Sequence, residues 1–135
     1  MLSDDEDFLV GYYNISAGRM DNIQEINGVE YYEPMGGSVN INFLAIRKEY
    51  QGQSQTPAGE PKLYLGDLLL NDCEKRILHI RESIGLSFIT LYSTEEGHQL
   101  YERNDYSLFE EDMSTFISER DKDCYKMYKW IDDLL

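Results

Sequence analysis

Residues 64–67, Tyr-Leu-Gly-Asp, open a helical pattern and could form a site for an anion. The first amides of a helix lack intrahelical acceptors, and together with the helix dipole they attract negative groups such as phosphates. A glycine at such a turn lets a ligand come close to the backbone, and Gly66 occupies that position. Gly66 could equally serve only to ease the start of the helix, so the pattern indicates either phosphate binding or a simple helix start.

Other catalytic patterns are weak in this sequence. The two histidines, His79 and His98, and the two cysteines, Cys73 and Cys124, have no metal-ligand spacing. We therefore predict no metal site. No order of Ser, His and Asp, or of Cys and His, indicates nucleophilic catalysis.

The chain carries no targeting pattern. Its first residues, MLSDDEDF, are acidic where a secretory signal would be basic. No apolar run approaches the ~20 residues that span a bilayer. Two cysteines in a chain without an export signal are most simply reduced thiols. These features predict a cytoplasmic protein with no membrane partner.

Net charge limits the partners of the protein. The chain has 26 acidic and 12 basic residues, a formal net charge of −14 shared equally between residues 1–60 and 61–135. Such a field repels phosphate backbones, so we expect no nucleic-acid partner. It would attract polyamines or basic protein segments. The alternative is that the charge only keeps the protein soluble.

The first half of the chain has strand patterns. Residues 8–17 are aromatic and β-branched, and Asn27-Gly28 predicts a hairpin-like return over residues 22–33. Pro34 with the glycines at 36 and 37 predicts a break. Residues 39–46 alternate and then become apolar, which predicts a strand half-exposed at its start and buried near its end.

The second half predicts helix, strand, short helix and strand. Residues 51–62 lack periodicity and indicate a loop, while apolar spacing from Leu65 to Ile84 predicts a helix that ends near Gly85. Residues 86–92 resemble a buried strand. Ser93 or Thr94 could cap a second helix. Residues 124–131 alternate well enough to form a last strand.

This order of elements resembles that of the acetyl-CoA-dependent N-acetyltransferases of the GNAT superfamily. Three segments are similar to family motifs: FLAIRKEYQG at 43–52 to the central strand and loop entrance, YLGDLLLNDCEKRI at 64–77 to the G-x-G-x-x-L-L helix start, and LYERNDY at 100–106 to x-Y-E-K-x-G-F. LVGYYNISAG at 9–18 resembles the family's second strand. The resemblance covers about residues 8–131.

The resemblance implies a cofactor site and a catalytic residue. Acetyl-CoA is the implied co-substrate, and Tyr101 matches the family tyrosine that protonates the departing CoA thiolate, as a phenol with pKa near 10 can. The general base stays open, with Glu49 or a water as candidates. The implied cofactor-binding residues are the strand residues Phe43, Leu44, Ala45 and Ile46, the loop residues Gln51 and Gly52, and the turn residues Tyr64, Leu65, Gly66 and Asp67.

The sequence departs from the family pattern in five respects. Tyr64 stands where the first glycine should be, and about a dozen residues separate Gly52 from it. Asp105-Tyr106 replaces Gly-Phe, a mild change because Asp tolerates turn conformations. Thr94 stands where the family often has an asparagine, about seven residues before the tyrosine. The second-strand motif begins at residue 8, which leaves no room for the usual first strand and first two helices.

We therefore predict one α/β domain over residues 1–135, with a GNAT-like mixed, mostly antiparallel sheet of five or six strands and flanking helices. The predicted function is transfer of acetyl from acetyl-CoA to a primary amine on a small molecule or a lysine-containing protein. The alternative is a catalytically inactive GNAT-fold protein whose acidic surface binds a basic protein. A sheet without its covering helices would expose an apolar face, so a homodimer is expected.

Overall fold

The structure, a computed structural model, describes residues 2–4, 8–48, 64–115 and 124–135. The loop predicted over 51–62 and the implied cofactor residues Gln51 and Gly52 lie outside the described residues, as does Glu49. The described elements are, in chain order, β1 (Leu2–Asp4), β2 (Phe8–Ile26), β3 (Val29–Ile46), α1 (Leu65–Arg81), β4 (Phe88–Ser93), α2 (His98–Arg103), β5 (Ser107–Leu108), β6 (Met113–Thr115), β7 (Tyr125–Trp130) and a 3-10 helix (Ile131–Leu134).

The strands form one mixed sheet. Its order is β1-β2-β3-β4-β7-β5, and β6 pairs with β2. Only β3 and β4 pair in parallel among the described strands, and every other pair is antiparallel. The fold class predicted from the sequence is confirmed. The described sheet has seven strands instead of the predicted five or six. The difference comes from three short strands, β1, β5 and β6, which are only two or three residues long.

A long hairpin joins β2 to β3. Asn27 (φ 53°) and Gly28 (φ 81°) form its turn, with Ile26 paired to Val29 across it. Positive φ at both central residues is the geometry that an Asn-Gly turn favours, because its twist matches that of the strands. The predicted return is confirmed, although the strands are longer than the predicted segments.

The predicted break at Pro34 is wrong, since β3 runs unbroken through it. The strand accommodates Pro34 at a register shift between Met20 and Asp21 of β2. Gly36 follows with φ 154°, and a Cβ on Gly37 would lie 2.3 Å from the carbonyl oxygen of Gly85. A bulge and close backbone approach, rather than a chain break, explain these residues.

The predicted burial of β3 is reversed. Val39 and Ile41 are 3% and 2% exposed, whereas Phe43 is 50% exposed. The reason is that β4 pairs with β3 only from Ser38 to Ile41. The residues of β3 after Ile41 do not pair with β4, and they are exposed or half-buried.

Helix α1 packs on the sheet through one face. Leu69, Cys73 and Ile77 are fully buried, as their spacing predicted. Each buried apolar side chain of this size contributes about 1.5–3 kcal/mol. The prediction was wrong at the C-terminus: the helix ends at Arg81, before Ile84, which is 48% exposed. The main core contains Val39, Ile41, Leu70, Cys73, Ile77, Leu86, Ile89, Leu91, Tyr101, Tyr106, Met127 and Ile131.

Helix α2 begins later than predicted. Its N-cap is Gly97, not Ser93 or Thr94. The Thr94 hydroxyl oxygen instead accepts a hydrogen bond from the Gly97 N–H at 3.2 Å, which fixes the turn before the helix. The last predicted strand is confirmed as β7. In the described part of the chain, no helix has the length and apolar character needed to cross a bilayer.

Candidate functional site

Strands β3 and β4 separate at one end of the sheet. Their parallel ladder ends at the pair Ile41–Leu91, while β3 continues to Ile46 and β4 to Ser93. Side chains alternate along β3, so Leu44 and Ile46 lie on one face and Phe43 on the other. Leu44 packs against the main core. The separation opens a gap with an apolar wall on the β3 side.

A solvent-open cleft of about 490 Å³ lies at this gap. Strand β3 forms one wall, the start of α1 the second, and the turn before α2 with α2 itself the third. The lining residues are Leu44, Ile46, Tyr64, Gly66, Thr94, Glu96, Gly97, Gln99, Leu100 and Arg103.

The start of α1 lies close to the other two walls because Gly66 has no side chain. A Cβ on Gly66 would lie 3.3 Å from Leu100 Cδ1 and 3.5 Å from Ile46 Cδ1. These are the ends of flexible side chains, so a methyl group would fit after small shifts, whereas a long side chain would enter the cleft. Among the described residues, no acceptor is hydrogen-bonded to the N–H groups of Leu65 and Gly66.

The carboxylate of Asp67 holds the first turn of α1. One oxygen accepts a hydrogen bond from the Tyr64 N–H at 2.9 Å, as an N3 side chain does in a capping box. The other accepts from Asn104 Nδ2 at 2.8 Å and from Arg103 Nε at 3.1 Å. The carboxylate is 5% exposed. It therefore ties α1 to the end of α2 and does not line the cleft.

Burial raises the pKa of Asp67, but hydrogen bonds reverse this effect. Donors from Arg103, Asn104 and the Tyr64 backbone, with the charge of Arg103, lower the pKa of the carboxyl below its usual value. Asp67 is therefore ionised at neutral pH. Its negative charge lies beside the helix N-terminus, for which the sequence pattern indicates either phosphate binding or a simple helix start.

Arg103 is the basic residue among the described residues that line the cleft. Its guanidinium carbon lies 4.9 Å from the centroid of the Tyr64 ring. The side chain is 40% exposed, although two of its nitrogens bond to Asp67. Arg103 thus presents a partly neutralised positive charge at the cleft, stacked on the Tyr64 ring.

Tyr101 lies behind the cleft wall. It is 8% exposed, belongs to the main core and packs edge-on against Tyr106, with ring centroids 5.7 Å apart. Burial, followed by the nearby Cys73, raises the pKa of Tyr101 to about 12. The phenol keeps its proton at neutral pH. Tyr101 does not line the cleft, but its neighbour Leu100 does.

A buried polar cluster supports the chain beyond α2. Glu74 on α1 is buried, and its carboxylate accepts hydrogen bonds from Tyr106 Oη at 3.0 Å and Lys129 Nζ at 3.3 Å. Lys129 also donates to the Asn104 carbonyl at 3.0 Å. Asp105 adopts φ 69°, which confirms the expected turn conformation. This cluster anchors the end of α2 to α1 and β7.

The structure brings together part of the implied cofactor site. Leu44, Ile46, Tyr64 and Gly66 line one cleft. The side chains of the other described candidates do not line it, because strand alternation turns Phe43 and Ala45 away and Asp67 bonds to α2. Leu65 also lies outside the lining.

Sequence reasoning missed the third wall of the cleft. Thr94, Gln99, Leu100 and Arg103 line it, and none was a candidate. The sequence marked the segment LYERNDY, which contains Leu100 and Arg103, but not the face of it that meets the cleft. At helical spacing these two residues share a face three positions apart, while Tyr101 points elsewhere. Within the described residues, no group of three His, Cys, Asp or Glu side chains could hold a metal ion.

Comparisons with known proteins give structural matches only. No family model matches the sequence, and no curated protein does. A crystal structure of a bacterial toxin is similar over 93% of this chain and 62% of its own, with a TM-score of 0.64 at 14% identity. A Tyr-to-Phe mutant of the toxin AtaT, bound to the C-terminus of the antitoxin AtaR and acetyl-CoA, is similar over 93% and 61%, with a TM-score of 0.56 at 15% identity.

The KacTA–DNA complex contains a third similar chain, with a TM-score of 0.61 at 18% identity over 97% of this chain and 67% of that one. This chain thus spans about three fifths of the length of the first two toxins. At such low identities the likeness shows a shared fold. It agrees with the predicted mixed, mostly antiparallel sheet with flanking helices.

Proposed function

We propose that this protein, as a single domain, transfers acetyl from acetyl-CoA to a primary amine. The observation that carries the proposal is the cleft at the separation of β3 and β4. Four residues implied by the family resemblance, Leu44, Ile46, Tyr64 and Gly66, line that one cleft although they come from two distant segments. A similar fold, that of AtaT, has been solved with acetyl-CoA.

In this proposal the cofactor lies along the β3 wall with its pyrophosphate at the start of α1. The N–H groups of Leu65 and Gly66 are oriented toward an incoming anion, as those of a first helical turn are. Arg103 adds a positive charge at the cleft. The backbone of residues 43–46 positions the pantetheine arm and the acyl carbonyl. Gln51 and Gly52 would extend the phosphate loop.

The chemistry is direct transfer in a ternary complex. The amine nitrogen attacks the thioester carbonyl carbon, the C–S bond breaks, and the CoA thiolate takes a proton from the Tyr101 hydroxyl. The pKa of about 12 keeps the phenol protonated at neutral pH but makes it a weaker acid than a thiol, so the tyrosinate formed as the C–S bond breaks takes a proton back from the solvent. Because Tyr101 lies behind Leu100, the sulfur must reach the inner end of the cleft. The amine loses its own proton to a base or a water.

The acceptor in this proposal is cationic. The net charge of −14 draws polyamines or lysine-containing protein segments and repels nucleic acid. Glu96 is the acidic residue in the described lining of the cleft. Its carboxylate would attract the ammonium group of an acceptor. The KacTA complex contains DNA, but that observation concerns a different chain.

A transfer assay tests this function. Purified protein is mixed with acetyl-CoA and spermidine, and released CoA is measured with a thiol reagent. Time-dependent CoA release that requires spermidine is expected. Release at the rate of a protein-free blank, over a range of polyamines and lysine peptides, contradicts the proposal. The Glu96→Gln variant should raise KM for spermidine more than it lowers kcat, because it removes charge attraction and no acyl contact.

A second candidate is a catalytically inactive GNAT-fold protein that binds a basic protein. The observation that favours it is the Asp67 carboxylate at the start of α1, with Arg103 already bonded to it. A thermal shift separates the two: a ligand at 100 times its Kd should stabilise the fold by about 2.7 kcal/mol. No shift at millimolar acetyl-CoA favours the inactive protein. AtaT is itself bound to an antitoxin segment.

We further propose a cytoplasmic homodimer. Tyr12 and Phe43 lie on the face of the sheet away from α1 and are 44% and 50% exposed. Their rings contact edge-on with centroids 5.6 Å apart. A second copy on this face would cover both rings. Sedimentation velocity should show a dimer that the Phe43→Lys variant dissociates, and a monomer at all concentrations would refute this assembly.

A further inference from the structure

The tip of the β2–β3 hairpin extends beyond the rest of the sheet. We call residues 23–33 the arm. Strand β6 pairs with β2 only up to Asn22, followed by one hydrogen bond from the Ile23 N–H to the Asp112 carbonyl. Among the described residues, no strand pairs with either outer edge of the arm after that point. Four cross-strand pairs, from Ile23–Tyr32 to Ile26–Val29, give it a length of about 14 Å.

One face of the arm is apolar and open. The pairs Ile26–Val29 and Gln24–Tyr31 are two positions apart and therefore share a face. Ile26 is 53% exposed, and Val29 and Tyr31 are each 52% exposed. Two-stranded hairpins are marginal in water, and they gain little by displaying three large apolar side chains at their tip. A cluster of this kind indicates a contact surface.

The charge on the arm has a single sign. No Lys or Arg occurs between Arg19 and Arg47, whereas the arm carries Glu25, Glu30 and Glu33. Lysine is a frequent protective residue at sheet edges, and the arm contains none. Glu33 shares the apolar face through its pair with Asn22, whereas Glu25 and Glu30 pair with each other on the opposite face. Every charged side chain of the arm is therefore acidic, and one of its faces is apolar while the other carries a carboxylate pair.

We propose that one outer edge of the arm pairs with an extended basic segment of another protein, whose side chains alternate between the two faces. One set of its side chains is apolar and packs on Ile26, Val29 and Tyr31, and the other set is lysine or arginine and lies beside Glu25 and Glu30 on the opposite face. A second copy of this chain fits poorly, because two arms would bring their carboxylates together without a compensating cation. Nucleic acid is repelled for the same reason. The Asn27-Gly28 turn fixes the arm before binding, so little ordering is required on contact.

The test uses a labelled twelve-residue peptide in which lysine alternates with leucine and threonine, titrated with the protein in a fluorescence anisotropy experiment. The Ile26→Ser/Tyr31→Ser variant should weaken binding at least tenfold. Ile84→Ser serves as the matched apolar control, since Ile84 is 48% exposed outside the arm. The Glu25→Gln/Glu30→Gln variant should weaken binding several-fold and reduce its salt dependence, while Glu82→Gln/Glu95→Gln should not. The charge variants keep the test decisive if the apolar variant is poorly folded.

Three results would overturn the docking proposal. Equal losses of peptide affinity in the arm variants and in their controls would show that the peptide is attracted only by the net charge of the protein. Equal affinity for a peptide with glutamate in place of lysine would remove the charge argument. A dimer that dissociates in the arm variants, by sedimentation, would assign the arm to a second copy. Peptide binding should be unchanged by added acetyl-CoA, so it can succeed or fail separately from the proposed acetyl transfer.

Discussion

The Asp67 carboxylate accepts two hydrogen bonds from the Arg103 guanidinium, from Nε at 3.1 Å and from Nη2 at 3.2 Å. These bonds link the first turn of α1 to the last residue of α2, across two walls of the cleft. The same carboxylate caps the Tyr64 N–H. A single side chain therefore sets both the helix start and the distance between the walls.

Replacing Asp67 by alanine should destabilise the fold by about 2 kcal/mol. The change leaves the Tyr64 N–H and a guanidinium without their acceptor, although the 40% exposure of Arg103 lets water replace part of the loss. Urea unfolding measures the difference. The exposed Glu82→Ala serves as a control and should change stability by less than about 0.5 kcal/mol. Equal stability of the Asp67 variant would show that the bonds contribute nothing.

The contribution of Asp67 should depend on pH. Its folded-state pKa is lowered from 3.8, so its stabilisation is fully present above that value and is lost as pH falls through the lower folded pKa. The stability gap between the unmutated protein and Asp67→Asn should therefore shrink below about pH 4. Chemical unfolding at several pH values measures it. A gap that widens in acid would reverse the assigned sign.

The sequence predicted which segments form helices, strands and turns better than it predicted which of their residues are buried. The Asn27-Gly28 turn and the spacing of Leu69, Cys73 and Ile77 are local signals, and both were confirmed. The burial of β3 could not be read locally, because it depends on where β4 stops pairing at Ile41. The break predicted at Pro34 was wrong for a related reason, since a register shift in the partner strand β2 accommodates the proline.

The site was predictable only in part. The helix start at Gly66 has a local signature, and the structure places it on the cleft. Arg103 and Leu100 could not be chosen over Tyr101, because which face of the short helix α2 meets the cleft depends on tertiary packing. The buried Glu74 shows the same limit, since its partner Lys129 lies far along the chain.

Tyr101→Phe should lower kcat about 10²-fold or more while acetyl-CoA affinity stays nearly constant. The variant removes the proton donor and keeps the ring that packs against Tyr106. Steady-state kinetics of CoA release with parallel calorimetry separates the two quantities. Tyr125→Phe, at an exposed site, is the matched control. Full activity in the Tyr101 variant would mean that this residue only packs.

Cys73 should resist thiol reagents in the folded protein. Burial, then the nearby carboxylates of Glu74 and Asp72, raises the pKa of its thiol to about 12, so almost no thiolate exists at pH 8. The Cys73→Ser variant should give the same native labelling as the unmutated protein, and Cys124→Ser should not. Both thiols should react in urea. Rapid native labelling that depends on Cys73 would show that the core opens at this helix.

Acetylation should favour cationic acceptors over aminoacyl-tRNA. The net charge of −14 attracts polyamines and lysine-rich peptides, and salt screens that attraction over about 10 Å at 0.1 M. The kcat/KM for spermidine should therefore fall with added salt. A competition assay with both acceptors measures the preference. Acetylated aminoacyl-tRNA as the main product, at a rate insensitive to salt, would contradict the charge argument.

Calorimetric titration of the protein with acetyl-CoA, compared with Gly66→Glu, tests most directly whether the cleft holds the cofactor. Saturable binding with one acetyl-CoA per chain is expected. Gly66→Glu should abolish it by placing bulk and negative charge between the helix start and Leu100, while Gly66→Ala should retain it. Gly85→Glu adds the same charge at a site where a Cβ would have no atom of a non-adjacent residue within 4 Å, and this variant should bind acetyl-CoA normally. Unchanged affinity in Gly66→Glu, or no binding to the unmutated protein at millimolar acetyl-CoA, would contradict the assignment of the cleft.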